Sequence, residues 1–193
     1  MAEMNDSFNE VTAEMLKVIS DYDSVTGFRG AYNIRQDSMC AGRKNSENIT
    51  IESKTDKPGI NIRVKPGTKG ETVYIPACVT HSNVDDLVYN DFFIGEGADV
   101  TIVAGCGVHS DGSETARHNG IHRFFLEKGA KVLYKEKHIG TGKGTGLRRI
   151  DPVTDAYLKE DSYLEMDTVQ LRGVDRTTRS TSAVLDKGAK IVV

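Results

Sequence analysis

Apolar and polar residues alternate over short stretches of this chain, and the alternation is clearest at residues 99–108. One parity there carries only apolar or small side chains: Val100, Ile102, Ala104, Cys106 and Val108. The same period of two, rich in β-branched residues, returns at residues 49–51, 60–64 and 73–75. Because successive side chains of a β-strand point to opposite faces, this pattern predicts strands with one buried face.

A seven-residue motif recurs five times and organises most of the chain. It runs apolar-x-x-Gly-small-x-apolar, and its central positions, 30, 32, 32 and 27 residues apart, are Gly67, Gly97, Gly129, Asp161 and Gly188. Repeats of this length are units that bury their apolar faces only by stacking, and the period of two within them excludes helical repeats. The motif therefore predicts an all-β solenoid of stacked parallel β-coils, with the glycine at a corner of positive φ. Each repeat is either one coil with a long loop or two flattened coils.

The pattern near the N-terminus has the period of a helix. Ser7 and Glu10 have the spacing of a capping box, and apolar residues then follow at helical spacing. These residues are Phe8, Val11, Met15, Val18 and Ile19. We expect a short amphipathic helix from about Ser7 to Asp21, whose apolar stripe caps the first coil. Residues 22–46 are mixed in character, with a short strand expected around residues 31–35.

These patterns divide the chain into residues 1–46, which hold the helix and the mixed segment, and a β-coil domain over residues 47–193. Polar stretches predict loops near residues 54–59, 110–120 and 140–156. The last motif ends at Ile191, two residues before the end of the sequence and with no capping pattern. A bare final coil would expose unpaired backbone groups, so either the gene product is longer or another chain covers this end. We expect a fragment.

Composition and charge exclude several classes of protein. The chain has 193 residues, 38% of them apolar and none of them tryptophan, which suits one domain with a thin core. Its 25 basic and 28 acidic residues give a net charge of −3, so we expect no nucleic acid and no membrane as partners. The acidic N-terminus lacks the features of a secretory signal, and three cysteines, an odd number, indicate free thiols in a reducing compartment. The expected location is cytoplasmic.

Counting forward from each motif centre places chemically active residues in one column. Nine residues on are Cys106, His138 and Gln170 in successive repeats, and Glu136 lies two residues before His138. All share the parity of the apolar residues and should point inward. A thiolate, an imidazole and a carboxylate can bind a soft or borderline metal, so Cys106, Glu136 and His138 form the candidate metal site. The alternative is a set of hydrogen-bonded polar rungs in which Cys106 acts as a small hydrophobic residue.

Other histidines are weaker candidates for metal binding. His122 has inward parity and should stack between Asn90 and Thr154. Cys-x-x-His ending at His109, followed by a His-x-x-x-His pair at His118 and His122, has spacing similar to that of zinc sites. On a strand, however, this pair would lie far apart, which favours solvated loop histidines. Three arginines are expected to form an outward basic face: Arg172, Arg176 and Arg179.

Three stretches of the chain resemble the SufB/SufD family. They are residues 85–109 (DDLVYNDFFIGEGADVTIVAGCGVH), the segment from GIHRF at 120–124 to Lys137-His138, and residues 165–175 (EMDTVQLRGVD). The chain is most similar to the short SufB/SufD-type proteins of anaerobic bacteria and archaea. The resemblance implies a right-handed parallel β-helix with a polar interior path. It also implies a scaffold for iron–sulfur cluster assembly that dimerises, with itself or another SufB/SufD-type partner, and works with SufC, an ABC-type ATPase.

Members of that family continue past the end of this sequence, into further coils and a C-terminal helical region that docks the ATPase. We therefore assign no ligand of the iron–sulfur cluster from the resemblance. The expected function is a scaffold of the SUF system with no catalysis of its own. The alternative is a structural or protein-interaction solenoid without metal chemistry. An enzyme is not expected, because the outer carboxylate clusters of polysaccharide lyases and the six-residue repeat of solenoid acyltransferases are both missing.

Overall fold

The computed structural model describes residues 7–193, which fold as a β-solenoid of about four turns with one short helix. The helix α1 spans Glu10–Ile19. The strands are β1 (Ala31–Gln36), β2 (Met39–Lys44), β3 (Ile49–Ser53), β4 (Gly59–Val64), β5 (Lys69–Tyr74), β6 (Ala77–Val79), β7 (Asp85–Ile94), β8 (Asp99–His109), β9 (Ala116–Leu126), β10 (Lys131–Thr141), β11 (Arg148–Ile150), β12 (Val153–Leu158), β13 (Tyr163–Arg172), β14 (Arg176–Thr177), β15 (Ser180–Leu185) and β16 (Lys190–Val192). The predicted β-solenoid with a short N-terminal helix is confirmed. The predicted N-terminal segment starts with residues 1–6, which lie outside the described residues.

The strands form two sheets that face each other. Sheet 1 has the order β2-β1-β5-β8-β10-β13-β16, with β6 pairing β1 and β8. Sheet 2 has the order β3-β4-β7-β9-β11-β14, with β12 placed between β9 and β15. In each repeat, one strand segment therefore lies in sheet 2 and the following strand lies in sheet 1. This answers the question that the sequence left open, since a 32-residue repeat is one flattened coil with two long strands.

The motif centres lie at the corners between the two sheets. All five have positive φ, between 58° at Asp161 and 73° at Gly67. The backbone N–H of Gly97 donates to the carbonyl of Lys128, one coil further on, at 2.9 Å, and Gly129 repeats this bond to Glu160. The corners of successive coils therefore stack through backbone hydrogen bonds. Aspartate at position 161 is one of the few residues other than glycine that adopt this conformation readily.

The core lies between the sheets and follows the predicted parity. Val100, Ile102 and Ala104 of β8 are buried in it, as the alternation predicts. Phe92 and Phe124 stack at 4.5 Å between ring centroids across neighbouring coils of sheet 2. Stacking places like residues above one another, so each coil extends the same apolar layer.

The helix begins later than predicted. It spans Glu10–Ile19, and its N-cap is Asn9, whose side chain accepts a hydrogen bond from the backbone N–H of Thr12 at 2.9 Å. Ser7 does not cap it, because its backbone N–H donates to Ala41 at 2.7 Å and holds it against β2. The capping box is therefore replaced by an asparagine cap, which is equally favourable at this position.

The helix packs on the outer face of sheet 1, whereas it was predicted to cap the first coil. Two glycines of β8 with outward parity explain this difference. A Cβ atom at Gly105 would lie 2.4 Å from the carbonyl oxygen of Ile19, and one at Gly107 would lie 2.4 Å from Sδ of Met15. Without side chains at these two positions, the strand forms a shallow trough that admits the helix backbone.

The first strands pair differently from the predicted parallel coils. Strands β1 and β2 form an antiparallel hairpin, of which the sequence analysis predicted only β1. Strands β3 and β4 are also antiparallel, because the five residues between them suffice for a hairpin and not for a crossover. Parallel pairing begins between β1 and β5 in sheet 1 and between β4 and β7 in sheet 2.

Two of the predicted loops are shorter than expected and are stacked on each other. Residues 116–120 belong to β9, and part of the stretch 140–156 forms β11 and the start of β12. The remaining connections, 110–115 and 142–147, run side by side. Gly144 donates from its backbone N–H to the carbonyl of Ser110, and Gly146 to that of Gly112, each at 2.9 Å.

Candidate metal centre

Cys106, Glu136 and His138 come together inside the solenoid. Residue 138 of β10 pairs directly with residue 106 of β8 and with Gln170 of β13, as the count from the motif centres predicted. One ligand atom from each of the three side chains lies within 4.8 Å of the other two. All three residues are at most 4% exposed. A role in metal binding remains a prediction.

Glu136 is a buried carboxylate with several polar neighbours. The hydroxyl of Tyr134 donates to Oε1 at 3.0 Å, and the guanidinium of Arg179 donates to Oε2. Burial opposes ionisation, but the imidazole of His138 and the charge of Arg179 outweigh it and hold the pKa of Glu136 well below its ordinary value. The group therefore carries its negative charge at neutral pH.

His138 has one buried nitrogen without a hydrogen-bond partner among the described residues. Its Nδ1 lies 3.3 Å from Oε1 of Gln170, an atom that only accepts, so Nδ1 is the donor in this contact. Its Nε2 lies 3.3 Å from Oε1 of Glu136, an ion pair when the ring is protonated, although the geometry is not that of a hydrogen bond. Two electron-rich atoms at this distance repel each other unless a proton or a metal cation lies between them.

Cys106 is protonated in the absence of a metal. Burial, together with the negative charge of Glu136, raises the pKa of its thiol well above the ordinary value. A bound cation reverses this preference, because a coordinating thiol loses its proton. The site can thus exchange one proton for one metal ion.

Arg179 lies in a different place from the one expected for it. It was predicted to lie on an outward basic face, yet its guanidinium reaches the interior and pairs with Glu136. It belongs to the break between β14 and β15, where the chain is not in a strand and the alternation of faces does not apply. Together with His138 and Gln170 it lines a pocket of about 160 Å³. No pattern in the sequence signalled this contact.

The remaining predicted histidines fall into two groups. His122 faces inward between Asn90 and Thr154, as predicted, and burial lowers its pKa to about 4. His109 does not join the other candidate ligands, because its parity is opposite to that of Cys106 and directs it away from the interior. Its Nδ1 instead lies 2.9 Å from Oγ1 of Thr141, beside a surface groove of about 430 Å³ next to α1.

His118 was expected to be a solvated loop residue but is 2% exposed. It lies in β9, and its Nδ1 donates to Oδ2 of Asp86 at 3.0 Å. Arg35 and Ser38 also donate to this carboxylate, which is fully buried. The inward parity shared by His118 and His122 was the signal that could have placed both inside.

The donor set fits a single metal ion better than a closed cluster. Thiolate, imidazole and carboxylate together suit a borderline cation such as iron. A cluster held by one chain takes about four ligands, usually cysteines. Of the three cysteines, all free, only Cys106 belongs to this group, since Cys78 packs beneath α1 and Cys40 lies in the hairpin of β1 and β2. The trio can therefore hold an ion, and a cluster would need ligands from elsewhere.

Comparison with known proteins finds relatives of part of the chain. It is 32% identical over 89 residues to an iron-sulfur cluster assembly SufBD family protein of Methanothermobacter thermautotrophicus (strain Winter), a match covering 45% of this chain and 21% of the relative. It is 33% identical over 98 residues to one of Archaeoglobus fulgidus, covering 50% and 26%. A third such protein, from M. thermautotrophicus strain Delta H, is 30% identical over 89 residues, covering 45% and 21%. The chain thus spans about a fifth to a quarter of the length of the curated relatives it matches.

Other comparisons add no further relatives. No protein-family profile matches the chain. No solved structure matches it either. Among residues 7–193, no helix is long and apolar enough to cross a membrane.

Proposed function

On the premise that this chain is SufB/SufD-like, as its three relatives support, we propose that it is a component of iron–sulfur cluster assembly that holds an iron ion as cargo at Cys106, Glu136 and His138. The observation that carries the proposal is the convergence of a buried thiol, carboxylate and imidazole, with one ligand atom from each within 4.8 Å of the other two. A cation bound there would lie between Nε2 of His138 and the carboxylate oxygen 3.3 Å from it, where a proton on the imidazole is the alternative. The thiol of Cys106 would be a third ligand.

The protein offsets most of the charge of a bound iron ion, and with Arg179 included the group carries one net positive charge. Fe²⁺ brings two positive charges, and the loss of the Cys106 proton supplies one negative charge beside the carboxylate of Glu136. Arg179 already neutralises part of that carboxylate's charge and keeps it ionised, so Glu136 is ready to bind before the ion arrives. Iron binding should therefore release one proton per ion and weaken as the pH falls.

The proposal includes the expected partners and location. The chain acts as a scaffold without catalysis of its own, pairs with itself or with a second SufB/SufD-type subunit, and works with a SufC-type ATPase. The iron–sulfur cluster is then built with ligands that this chain does not supply alone. A cytoplasmic location, with neither nucleic acid nor membrane as partner, agrees with its net charge of −3 and its free thiols.

Iron binding under strictly anaerobic conditions tests this function. Equilibrium dialysis against Fe²⁺ should give one ion per chain in the native protein, with at least a tenfold loss of affinity in Cys106→Ser and His138→Gln. Cys40→Ser is the matched control, because Cys40 lies in the hairpin of β1 and β2 and is not one of the three ligands. This variant should bind iron like the native protein. A native chain that is folded and binds no iron, or a Cys106→Ser variant that binds it equally well, would overturn the proposal.

A second candidate function is a protein-interaction solenoid without metal chemistry. The observation that favours it is a row of stacked rings on the outer face of sheet 2. Phe93, Phe125 and Tyr157 follow one another in register, with 5.1 Å between successive ring centroids, and Tyr157 is 43% exposed. Absence of iron binding, with loss of partner binding in Tyr157→Ser, would favour this function over the first.

A further inference from the structure

Three arginines stand above one another on the outer face of sheet 2. Arg117 of β9 pairs in register with Arg149 of β11, and Arg149 pairs in turn with Arg176 of β14. His118 and Ile150, the next residues on the first two strands, are buried, so the arginines before them point outward. Neighbouring coils of a parallel sheet are about 4.8 Å apart. The column therefore holds like charges close together, and this repulsion favours the binding of an anion.

Asp151 positions two of these guanidinium groups. Its Oδ2 accepts from Nε of Arg117 at 3.1 Å and from Nη2 of Arg149 at 2.9 Å. Its Oδ1 accepts from the backbone N–H of Thr178 at 3.1 Å, so both oxygens of this buried carboxylate are engaged. Because the two guanidinium groups share one oxygen atom, they are held side by side before any ligand arrives. Such preorganisation lowers the entropic cost of binding.

The carboxylates beside the column do not neutralise it. Asp151 offsets one of the three positive charges. Asp85 offsets a second one only weakly, because its Oδ2 lies 3.5 Å from Nη1 of Arg117 and its side chain is 66% exposed. Arg176 forms no ion pair with any residue in the described range 7–193. The group thus keeps an excess of positive charge, which grows when Asp85 turns toward solvent.

A surface pocket of about 240 Å³ opens beside Arg117 and Arg149. Asn83 and Thr115 also line it, as does Asp85. Guanidinium, amide and hydroxyl groups are the hydrogen-bond donors that oxyanions accept from. Nε of Arg149 is buried and has no hydrogen-bond partner among the described residues. An unpaired buried N–H costs free energy, and an oxyanion oxygen that reaches it would remove this cost.

We propose that Arg117 and Arg149 bind a phosphoryl group in this pocket, with Arg176 one coil further on as the partner of a second phosphoryl group. A carboxylate has two oxygens and matches one guanidinium fork, whereas a phosphoryl group has three free oxygens and can accept from both forks. The phosphoryl group replaces the weak contact between Arg117 and Asp85. The site lies outside the solenoid and shares no residue with the candidate metal centre, so it goes beyond the proposed function and does not depend on it.

Isothermal titration calorimetry at low ionic strength tests the site, with inorganic phosphate and pyrophosphate as separate probes. Each should bind saturably to the native chain with one site per chain, and acetate should bind more weakly. Arg149→Gln should weaken the binding of both probes about tenfold or more, because it removes charged donors. Arg148→Gln is the matched control, since it removes the same charge from the preceding residue, which pairs with Asp175 and does not line the pocket. Its affinities should equal those of the native chain.

The two probes distinguish the forms of the ligand. Tighter binding of pyrophosphate, lost in Arg176→Gln, supports a ligand with a diphosphate group, and equal affinities support a single phosphate. Arg149→Lys keeps the charge and should retain part of the affinity, and circular dichroism of each variant checks that the fold is retained. No saturable binding of either probe to the folded native chain would overturn the proposal. Acetate binding as tight as that of phosphate, or equal weakening by Arg148→Gln and Arg149→Gln, would overturn it too.

Discussion

Cys106 and His138 are direct neighbours across the β8–β10 pairing, with both side chains inside the solenoid and at 4% exposure. The pairing is parallel, so a side chain and its neighbour one coil away stand above each other on the same face. Stacking thus brings together a thiol and an imidazole that are 32 residues apart. The chemistry of the interior depends on this vertical arrangement.

Breaking the buried ion pair at Glu136 should destabilise the metal-free chain. Glu136→Gln keeps the shape and the bond from Tyr134 but leaves the guanidinium of Arg179 without its charge partner. We expect a loss of about 2 kcal/mol in the free energy of unfolding, less than for a fully buried pair because the Arg179 side chain is 26% exposed. Urea denaturation measures it. The double variant with Arg179→Gln should regain part of the loss, and strict additivity would contradict the coupling.

Acid should weaken the fold of the metal-free chain through His122. Its pKa is lowered to about 4 in the folded state, against about 6.5 in the unfolded chain. Between these values the unfolded state binds more protons, so the free energy of unfolding falls as the pH drops from 6.5 to 4, by about 3 kcal/mol in all. Denaturant titrations at several pH values should show this slope in the native chain and a smaller one in His122→Gln. Equal slopes would show that His122 is not the group responsible.

Glycine should be favoured at position 129 because of its left-handed backbone conformation, and not because a side chain would clash there. Its φ is 65°, and no atom lies within 4 Å of a Cβ placed there, so Gly129→Ala creates no clash. We expect a cost of about 1–2 kcal/mol from the conformation, measured by thermal unfolding. Gly129→Asn should cost less, because asparagine tolerates this region. A larger cost for asparagine than for alanine would contradict this explanation.

The trough under α1 should not tolerate a side chain at Gly105. Gly105→Ala places its Cβ against the carbonyl oxygen of Ile19, a backbone atom that moves only with the helix. We expect a loss of about 1–3 kcal/mol and faster amide exchange throughout α1, read by hydrogen–deuterium exchange. Gly112→Ala, which meets only ordinary contacts, should leave both measurements unchanged.

The features that followed from the sequence are those governed by strict periods. A period of two fixes which side chains face inward, and the repeat interval fixes the register between coils, so the alignment of Cys106 with His138 and Gln170 was predictable. The corners were predictable too, because few residues other than glycine adopt positive φ.

The features that did not follow depend on side-chain reach and on glycines outside the repeat. Arg179 contacts Glu136 from a break between strands, where no alternation applies. His118 and His122 approach each other only because Gly120 separates them. The position of α1 depends on Gly105 and Gly107. The sequence alone does not show that these two glycines form a trough, because that requires knowing which residues pack against the strand.

The connections at 110–115 and 142–147 are bound to each other along their lengths through alternate glycines. Gly142, Gly144 and Gly146 each bring their backbone against a carbonyl of the connection below, at Ser110, Gly112 and Glu114 in turn. One added residue in either connection would set a side chain where only a hydrogen fits. Their lengths are consequently coupled: the two can grow or shrink together, whereas an insertion in one alone would break the match on this edge of the protein.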